Sequence, residues 1–110
     1  MYLIKTFGEA LKALKNGFMV KRSSWHSQHF VFRQVPAVID QEIVPRMQSL
    51  PESVRKEFAR RFDSPEFQIN SIYYDNQLAY VNESNLIQSY SPSVEDCQAE
   101  DWVLYEPTDN

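Results

Sequence analysis

The sequence predicts an α+β fold, with a small antiparallel β-sheet, a short N-terminal helix and an inserted second helix. Two stretches carry apolar residues at helical spacing, and several short apolar runs between turn residues are typical of strands. The chain has 110 residues, of which 43% are hydrophobic and 24% charged, the composition of an ordinary globular protein. We therefore expect residues 1–110 to form a single domain.

The first predicted element is a helix over residues 7–16. Thr6 and Glu9 have the spacing of a capping box, in which each side chain accepts a hydrogen bond from the other's backbone N–H. Four apolar residues then recur at helical spacing on one face: Phe7, Ala10, Leu11 and Leu14. Asn16 and Gly17 form a strong stop signal.

Two strands are predicted next, over residues 18–22 and 30–35, with a polar loop at 23–28 between them. Pro36 stops the second strand because proline lacks the N–H that a sheet ladder needs. Residues 36–48 are ambiguous between irregular chain and a short strand.

The inserted second helix is predicted to open at Ser49, with Pro51 in its first turn, and to end at residues 63–65. One side of this helix is apolar and carries Leu50, Val54, Phe58 and Phe62. The pairs Glu52–Lys56 and Glu57–Arg61 are spaced for exposed ion pairs.

Several short elements are predicted in the last third of the chain. Residues 67–74 and 78–82 resemble the two arms of a hairpin that turns at 75–77. The remaining predictions are a strand at 86–90, a helical turn at 93–98 capped by Ser93 and Asp96, a strand at 102–105 and a frayed tail at 106–110.

Charge is divided unevenly along the chain, whose formal net charge is −4. Residues 1–61 hold all eleven Lys and Arg residues and five acids, a balance of +6. Residues 62–110 hold ten acids and neither Lys nor Arg, a balance of −10. This asymmetry predicts complementary surfaces, within one chain or between subunits. The acidic total argues against binding to DNA or RNA, but a few local cations suffice for a small anionic ligand.

The sequence contains no signal for export or membrane insertion. No apolar run approaches the length of a membrane span, and residues 1–10 lack the basic start and long apolar stretch of a signal peptide. A single cysteine, Cys97, excludes an internal disulfide and fits a reducing compartment. We therefore expect a cytoplasmic protein that does not associate with membranes.

Catalytic motifs are largely missing. With only two glycines the chain has neither a Walker loop nor a dinucleotide-binding glycine fingerprint. The acidic neighbours of Cys97 disfavour a nucleophilic thiolate and favour a partly buried, inert thiol. The acidic pairs at 95–96 and 100–101 are compatible with Mg²⁺ binding or general-base chemistry, yet capping and turn formation explain their aspartates equally well. We expect no catalytic residue.

The two histidines, His26 and His29, are three residues apart in a polar loop. A zinc site needs at least a third protein ligand, and none is spaced alongside them in the sequence. We expect exposed loop residues, or one histidine that hydrogen-bonds a ligand, and predict no metal site.

The two tryptophans lie in polar turns, which is the strongest indication of a binding surface. Trp25 follows the basic pair Lys21-Arg22, and a flat indole beside cations and hydroxyls suits a stacked purine whose phosphates are neutralised nearby. The alternative is that Trp25 and Trp102 are structural residues that pack at the edge of a small hydrophobic core. Further charge and short hydroxyl donors in the predicted site come from Arg33, Ser23, Ser24, Ser91 and Ser93. A sheet of this size cannot enclose a nucleotide alone, which favours a pocket between subunits.

Both ends of the chain resemble a known family. The residues that carry the resemblance are Phe7-Gly8-Glu9-Ala10-Leu11 with Gly17, Val20, Arg22 and Trp25, and Pro92-Ser93 with Asp96 and Ala99-Glu100-Asp101-Trp102. They are similar to motifs of the Thoeris anti-defence type two family of small phage and prophage proteins. The segments 31–36 and 45–51 are similar to a longer branch of that family, which carries an extra helix.

The resemblance implies a nucleotide sponge and not an enzyme. Such a protein sequesters the glycocyclic ADP-ribose signal of the Thoeris sensor, and some relatives also bind cyclic oligonucleotides of the CBASS system at separate sites. It further implies a homotetramer with the ADP-ribose pockets between subunits, lined by Trp25, with Ser93 and Asp96 close by. Two features depart from the pattern: Tyr90 stands where many relatives have Trp, and Cys97-Gln98 replaces an apolar pair.

The predicted partner is thus a cyclic nucleotide, with no cofactor. The predicted ligand-binding residues are Trp25, Arg22, Ser24, Arg33, Tyr90, Ser91, Ser93 and Asp96. Two other functions stay open: an oligomeric phage interaction protein with no nucleotide ligand, and a nucleotide-cleaving enzyme that uses the acidic C-terminal motif.

Overall fold

The computed structural model describes residues 4–107 and divides them into two units. Unit 1 contains residues 4–35 and 76–107, and unit 2 contains residues 36–75. The three helices are α1 (Phe7–Lys15), α2 (Glu52–Asp63) and α3 (Val94–Gln98). The seven strands are β1 (Val20–Arg22), β2 (Phe30–Gln34), β3 (Ala37–Asp40), β4 (Ser71–Tyr74), β5 (Gln77–Val81), β6 (Ile87–Ser89) and β7 (Trp102–Leu104). The predicted α+β class with antiparallel pairing is confirmed, whereas the single domain stays a prediction.

Helix α1 has the predicted caps at both ends. The Thr6 backbone N–H donates to Glu9 Oε1 at 3.0 Å, and the Glu9 N–H donates to Thr6 Oγ1 at 3.2 Å, which completes the capping box. At the other end Gly17 has a φ of +89°, a conformation that glycine adopts without strain. This turn lets the Phe18 N–H reach the carbonyl of Ala13 at 3.0 Å and closes the helix.

Unit 1 is a five-stranded antiparallel sheet with the strand order β6-β5-β2-β1-β7. Helix α1 packs its apolar face against this sheet, as the spacing of its apolar residues predicts. The core contains six residues that are at most 1% exposed: Ala10, Ala13, Leu14, Val20, Val31 and Trp102.

Unit 2 consists of the two-stranded sheet β3-β4, a 3₁₀ turn at Val44–Arg46 and helix α2. Residues 36–48, ambiguous in the sequence, thus contain both a short strand and a turn. The buried apolar side chains of this unit are Val44 and Ile72. Both ion pairs predicted along α2 are present: Lys56 Nζ lies 3.4 Å from Glu52 Oε1, and Arg61 Nε lies 2.9 Å from Glu57 Oε2.

The predicted start of the second helix at Ser49 is wrong, because α2 begins at Glu52. Pro51 is the N-cap residue and has an extended conformation, with φ −57° and ψ 152°. No side chain caps this end of the helix. A proline placed before the first helical turn therefore decides the boundary, and the serine does not act as a cap.

The hairpin predicted from residues 67–74 and 78–82 is also wrong. Strand β4 pairs with β3 in unit 2, whereas β5 pairs with β2 in unit 1. The β2–β5 ladder runs from Phe30 opposite Val81 to Gln34 opposite Gln77. An apolar run marks a strand but does not identify its partner, so the short turn at 75–76 connects two sheets instead of two neighbouring strands.

Two other predictions concern the ends and the environment of the chain. Residues 108–110 of the predicted C-terminal tail lie outside the described residues. None of the described helices is long and apolar enough to cross a membrane.

Candidate functional site

The Trp25 side chain lies at the centre of an aromatic cluster in unit 1. Its ring centroid is 5.0 Å from that of Tyr80, 6.0 Å from that of Tyr90 and 5.3 Å from that of Trp102. The contacts with Tyr90 and Trp102 are edge-to-face, a preferred geometry for aromatic pairs. Trp25 is nevertheless only partly buried, so the indole forms the rim of the core and keeps a surface in contact with solvent.

Trp102 has a different environment. It is 1% exposed, its ring centroid lies 5.4 Å from that of Phe7, and its Nε1–H donates to the backbone carbonyl of Asp96 at 2.9 Å. Of the two tryptophans in polar turns, Trp102 is therefore a core residue and Trp25 is the one that a ligand can reach.

Arg22 is held by two carboxylates from the distant end of the chain. Its Nε donates to Asp101 Oδ1 at 2.8 Å and its Nη1 donates to Asp96 Oδ1 at 3.2 Å. The hydrogen bond to Asp101 is the main cause that raises the pKa of Arg22. At this point the complementary charges that the sequence predicts pair within one chain: the basic part of the sequence supplies Arg22, and the acidic part supplies Asp96 and Asp101.

Asp96 connects Arg22 to the aromatic cluster. Its Oδ2 accepts hydrogen bonds from Tyr90 Oη at 2.7 Å and from the Ser93 N–H at 3.3 Å. Ser93 Oγ in turn accepts from the Asp96 N–H at 3.0 Å, so the predicted capping box of α3 is confirmed. Burial and the neighbouring Asp96 carboxylate raise the pKa of Tyr90 far above its usual range, which keeps the phenol neutral and donating.

Arg33, the other cation of the predicted set, has no ion-pair partner among residues 4–107. Within this range its guanidinium also makes no side-chain hydrogen bond. Alternation along β2 places Arg33 on the same sheet face as Val31, whose opposite residue on β5 is Tyr80. Residues two apart on a strand are separated by about 7 Å, so the partly buried Arg33 lies about that far along β2 from Val31, on the face that also carries Tyr80.

The hydroxyls of the predicted site divide into two groups. Ser93 is used in the α3 cap, and Ser23 Oγ donates to Asp101 Oδ2 at 3.1 Å. Ser24 and Ser91 are exposed, and among residues 4–107 their side chains have no hydrogen-bond partner. These two hydroxyls therefore stay available to a ligand.

Lys21 has a structural role that the sequence did not indicate. Its Nζ donates to the carbonyl of Trp25 at 3.1 Å and to that of His26 at 3.0 Å. The ammonium thus fixes the loop that carries the indole, in addition to the turn closed by the Trp25 N–H and the Arg22 carbonyl at 3.1 Å. Lys21 therefore stabilises the loop that carries Trp25.

Two predictions about reactive groups need correction or extension. Cys97, in the short helix α3, is exposed and not partly buried. Near the histidines the fold brings in a third residue, since Glu83 Oε2 contacts Nε2 of the His29 ring. Sequence spacing missed Glu83 because it lies 54 residues further along the chain.

Trp25 does not line either of two cavities in the described part of the chain. One, of about 220 Å³ in unit 2, is lined mainly by apolar side chains that include Phe58, Phe62 and Ile72. A groove in unit 1 is lined by the three carboxylates Glu9, Glu100 and Asp101 and by one cation, Lys5, so its charge is unfavourable for phosphates. The groove in unit 1 nevertheless lies near the Trp25 loop, because Ser23 and Trp102 line it, and the Trp25 ring lies 5.3 Å from that of Trp102.

Sequence reasoning missed Tyr80 as a member of the cluster. Its ring contacts those of Trp25, Tyr90 and His29. Burial is the main cause that raises its pKa, so Tyr80 stays a neutral phenol. The sequence predicts that Tyr80 lies in a strand, but it does not predict which strand pairs with it. The β2–β5 register places Tyr80 opposite Val31 and so brings its ring to Trp25.

The carboxylates around Arg22 predict a loss of stability in acid. Burial acts to raise the pKa of Asp96, but hydrogen bonds from Tyr90, Ser93 and Arg22 outweigh it and lower the pKa; Arg22 is the main cause that lowers the pKa of Asp101. A lowered pKa in the folded state means that stabilisation is present above the unfolded pKa of about 4 and is lost as pH falls through the folded value.

We expect urea midpoints that fall on acidification below about pH 4, with a weaker fall in Asp96→Asn and Asp101→Asn than in wild type. Glu95→Asn serves as the control, because Glu95 is an exposed neighbour on α3. Equal pH dependence in the two aspartate variants and in wild type would contradict a stabilising role for this cluster.

The comparison with protein families agrees with the motifs at both ends of the chain. The model of the Tad2-like family, described as the Thoeris anti-defense 2-like domain, matches residues 5–105 and therefore nearly all of the chain. No curated protein matches the sequence significantly.

Proposed function

The chain belongs to the Tad2-like family of Thoeris anti-defense proteins, and on this premise we propose that it counteracts Thoeris by sequestering a cyclic nucleotide signal without cleaving it. Glycocyclic ADP-ribose is the proposed ligand, and a cyclic oligonucleotide of the CBASS system is a second one. The proposal places this binding in the cytoplasm of the infected cell, where the signal is made.

The observation that carries the proposal is the partly exposed indole of Trp25 on a fixed aromatic platform. Stacking a base on an aromatic side chain is worth about 1–3 kcal/mol. The neighbouring rings and the hydrogen bonds from Lys21 hold the Trp25 loop before the ligand arrives, so little ordering cost is left for binding.

Arg33 is the proposed phosphate-binding cation. It is unpaired within the described part of the chain and lies on the same face of the sheet as the cluster. Arg22 is instead a positioning residue, because Asp96 and Asp101 already occupy its guanidinium. We assign further contacts to Ser24 and Ser91, which are exposed, and to Tyr90, which is partly exposed.

A second subunit is part of the proposal. The Trp25 platform of one chain is open, whereas tight small-molecule sites bury most of the ligand surface. A homo-oligomer would close the site by placing another chain over the stacked base. We propose a tetramer, as the resemblance to the family implies.

The carboxylates of the C-terminal motif are poorly suited to catalysis. Hydrogen bonds lower the pKa of both Asp96 and Asp101, and a carboxylate with a lowered pKa is a weak general base. Both are also engaged with Arg22. This favours capture of the ligand over its cleavage.

Recovery of the ligand tests the proposal directly. The protein is incubated with glycocyclic ADP-ribose, separated from free ligand and heat-denatured, and the released nucleotides are quantified. Sequestration predicts intact ligand in stoichiometric amount. Product in excess of protein would instead show turnover, and the absence of bound nucleotide would favour an interaction protein without a nucleotide ligand.

Removing the Arg33 side chain is expected to weaken binding without loss of folding. A charge-assisted hydrogen bond to phosphate contributes about 1.5–3 kcal/mol, so Arg33→Ala should raise Kd by roughly tenfold to a hundredfold. Calorimetric titration measures this change, with Arg46→Ala in unit 2 as the control for loss of an exposed arginine. Equal affinities of Arg33→Ala and Arg46→Ala would remove Arg33 from the site.

A further inference from the structure

A tight turn brings the two histidines together. The His29 N–H donates to the carbonyl of His26 at 3.0 Å and so closes a four-residue turn. The two imidazoles stack with centroids 4.8 Å apart and an angle of 26° between their planes. Two imidazole groups that are adjacent on one side of a turn are a common starting point for a transition-metal site.

Glu83 supplies a carboxylate to this pair. It follows β5, and its Oε2 contacts His29 Nε2. One ligand atom each from His26, His29 and Glu83 lies within 4.8 Å of the other two. Ligand atoms around a tetrahedral zinc ion are about 3.4 Å apart, so a small rotation of the exposed His26 and Glu83 side chains closes the set around an ion.

Tyr80 orients His29 in the way that metal-bound histidines are usually oriented. Its Oη lies 2.6 Å from His29 Nδ1. If Nε2 binds a metal, the proton resides on Nδ1 and is donated to Tyr80, which fixes the tautomer and the ring plane. His26 requires a modest adjustment, because its Nδ1 accepts a hydrogen bond from the Gln28 N–H at 3.0 Å, and binding through either nitrogen gives this bond up.

We propose that His26, His29 and Glu83 form a binding site for one divalent transition-metal ion, with Zn²⁺ as the best match. Two imidazoles and one carboxylate are a zinc donor set, whereas Mg²⁺ and Ca²⁺ prefer oxygen ligands throughout. The three protein ligands leave a fourth position for water or for an anionic ligand.

Cobalt titration tests this site and is independent of the proposed nucleotide function, because no nucleotide is present. The full chain is stripped with EDTA, dialysed and titrated with Co²⁺ at neutral pH, and the visible d–d absorption is followed. We expect one Co²⁺ per chain in a tetrahedral environment, displaced by Zn²⁺. His26→Ala and Glu83→Gln should each weaken binding at least about tenfold, and Tyr80→Phe by roughly tenfold to a hundredfold.

Matched controls separate this site from other metal-binding groups. Glu95→Gln removes an exposed carboxylate on α3, and Cys97→Ser removes the exposed thiol, and both should bind Co²⁺ as wild type does. His26 and Glu83 are exposed, so their variants should keep the fold, which circular dichroism in EDTA verifies. Absence of stoichiometric binding by wild type, binding that persists in both His26→Ala and Glu83→Gln, or loss in Cys97→Ser would overturn the proposal.

Discussion

Replacing Trp25 by alanine is expected to weaken binding of the cyclic nucleotide by about tenfold to a hundredfold. The physical reason is the loss of a stacking platform that contributes roughly 1–3 kcal/mol to binding of a base. Trp25→Phe keeps a smaller aromatic face at the same place and should have an intermediate Kd. The measurement is a calorimetric or equilibrium-dialysis titration with glycocyclic ADP-ribose, together with the amount of intact ligand recovered after denaturation.

The Trp25→Ala variant needs a control for stability, because Trp25 also packs against three rings. Each such aromatic contact is worth about 0.5–1.5 kcal/mol, so some loss of stability is expected. Titrations are therefore made well below the melting midpoint, after the folded fraction has been checked. Tyr73→Ala removes an aromatic ring that is 67% exposed in unit 2 and should bind as wild type does. Wild-type affinity in folded Trp25→Ala would remove the indole from the site and the proposed capture with it.

Replacing Trp102 by alanine should mainly lower the stability of the fold, whereas replacing Trp25 should mainly lower the affinity for the ligand. The side chain is 1% exposed and packs against α1, and deletion of a buried tryptophan costs about 3–5 kcal/mol. This is a large fraction of the roughly 5–15 kcal/mol that stabilises a domain. In thermal unfolding, Trp102→Ala should lower the midpoint temperature by at least about 10 °C. Urea unfolding should show a correspondingly lower midpoint concentration.

Two further variants separate the contributions of Trp102. Trp102→Phe keeps much of the packing but loses the hydrogen bond to the Asp96 carbonyl, so it should fall between wild type and alanine. Val103→Ala is the control, because this neighbour is 38% exposed and should cost far less. If Trp102→Ala unfolded at the same midpoint as Val103→Ala, the assignment of Trp102 to the core would be contradicted.

Together these variants distinguish the two indoles, which the sequence alone presents as equivalent. In the sequence both follow short polar stretches that contain acidic or basic residues. Trp102 is on a strand whose backbone pairs with β1, so its side chain is carried under α1. Trp25 lies on the loop that follows β1 and stays at the rim of the core, where it is partly exposed. Trp25 stays accessible because strand β1 ends at Arg22, before the indole.

Local elements could be predicted from the sequence because their determinants lie three or four residues apart. The capping boxes at Thr6 and Ser93, the stop at Gly17 and the ion pairs along α2 are all of this kind, and each is present. Such contacts form within one turn of helix and depend little on the rest of the chain.

Only the tertiary structure decided which distant segments meet. Strand β5 pairs with β2 and not with β4, and Arg22 meets Asp96 and Asp101, which lie 74 and 79 residues further along. Glu83 reaches His29 in the same way, and Tyr80 reaches Trp25. Apolar alternation and charge balance predict that such partners exist, but many pairings satisfy them. The choice among these pairings depends on burying one sheet face and α1 in a single core, which no short stretch of sequence encodes.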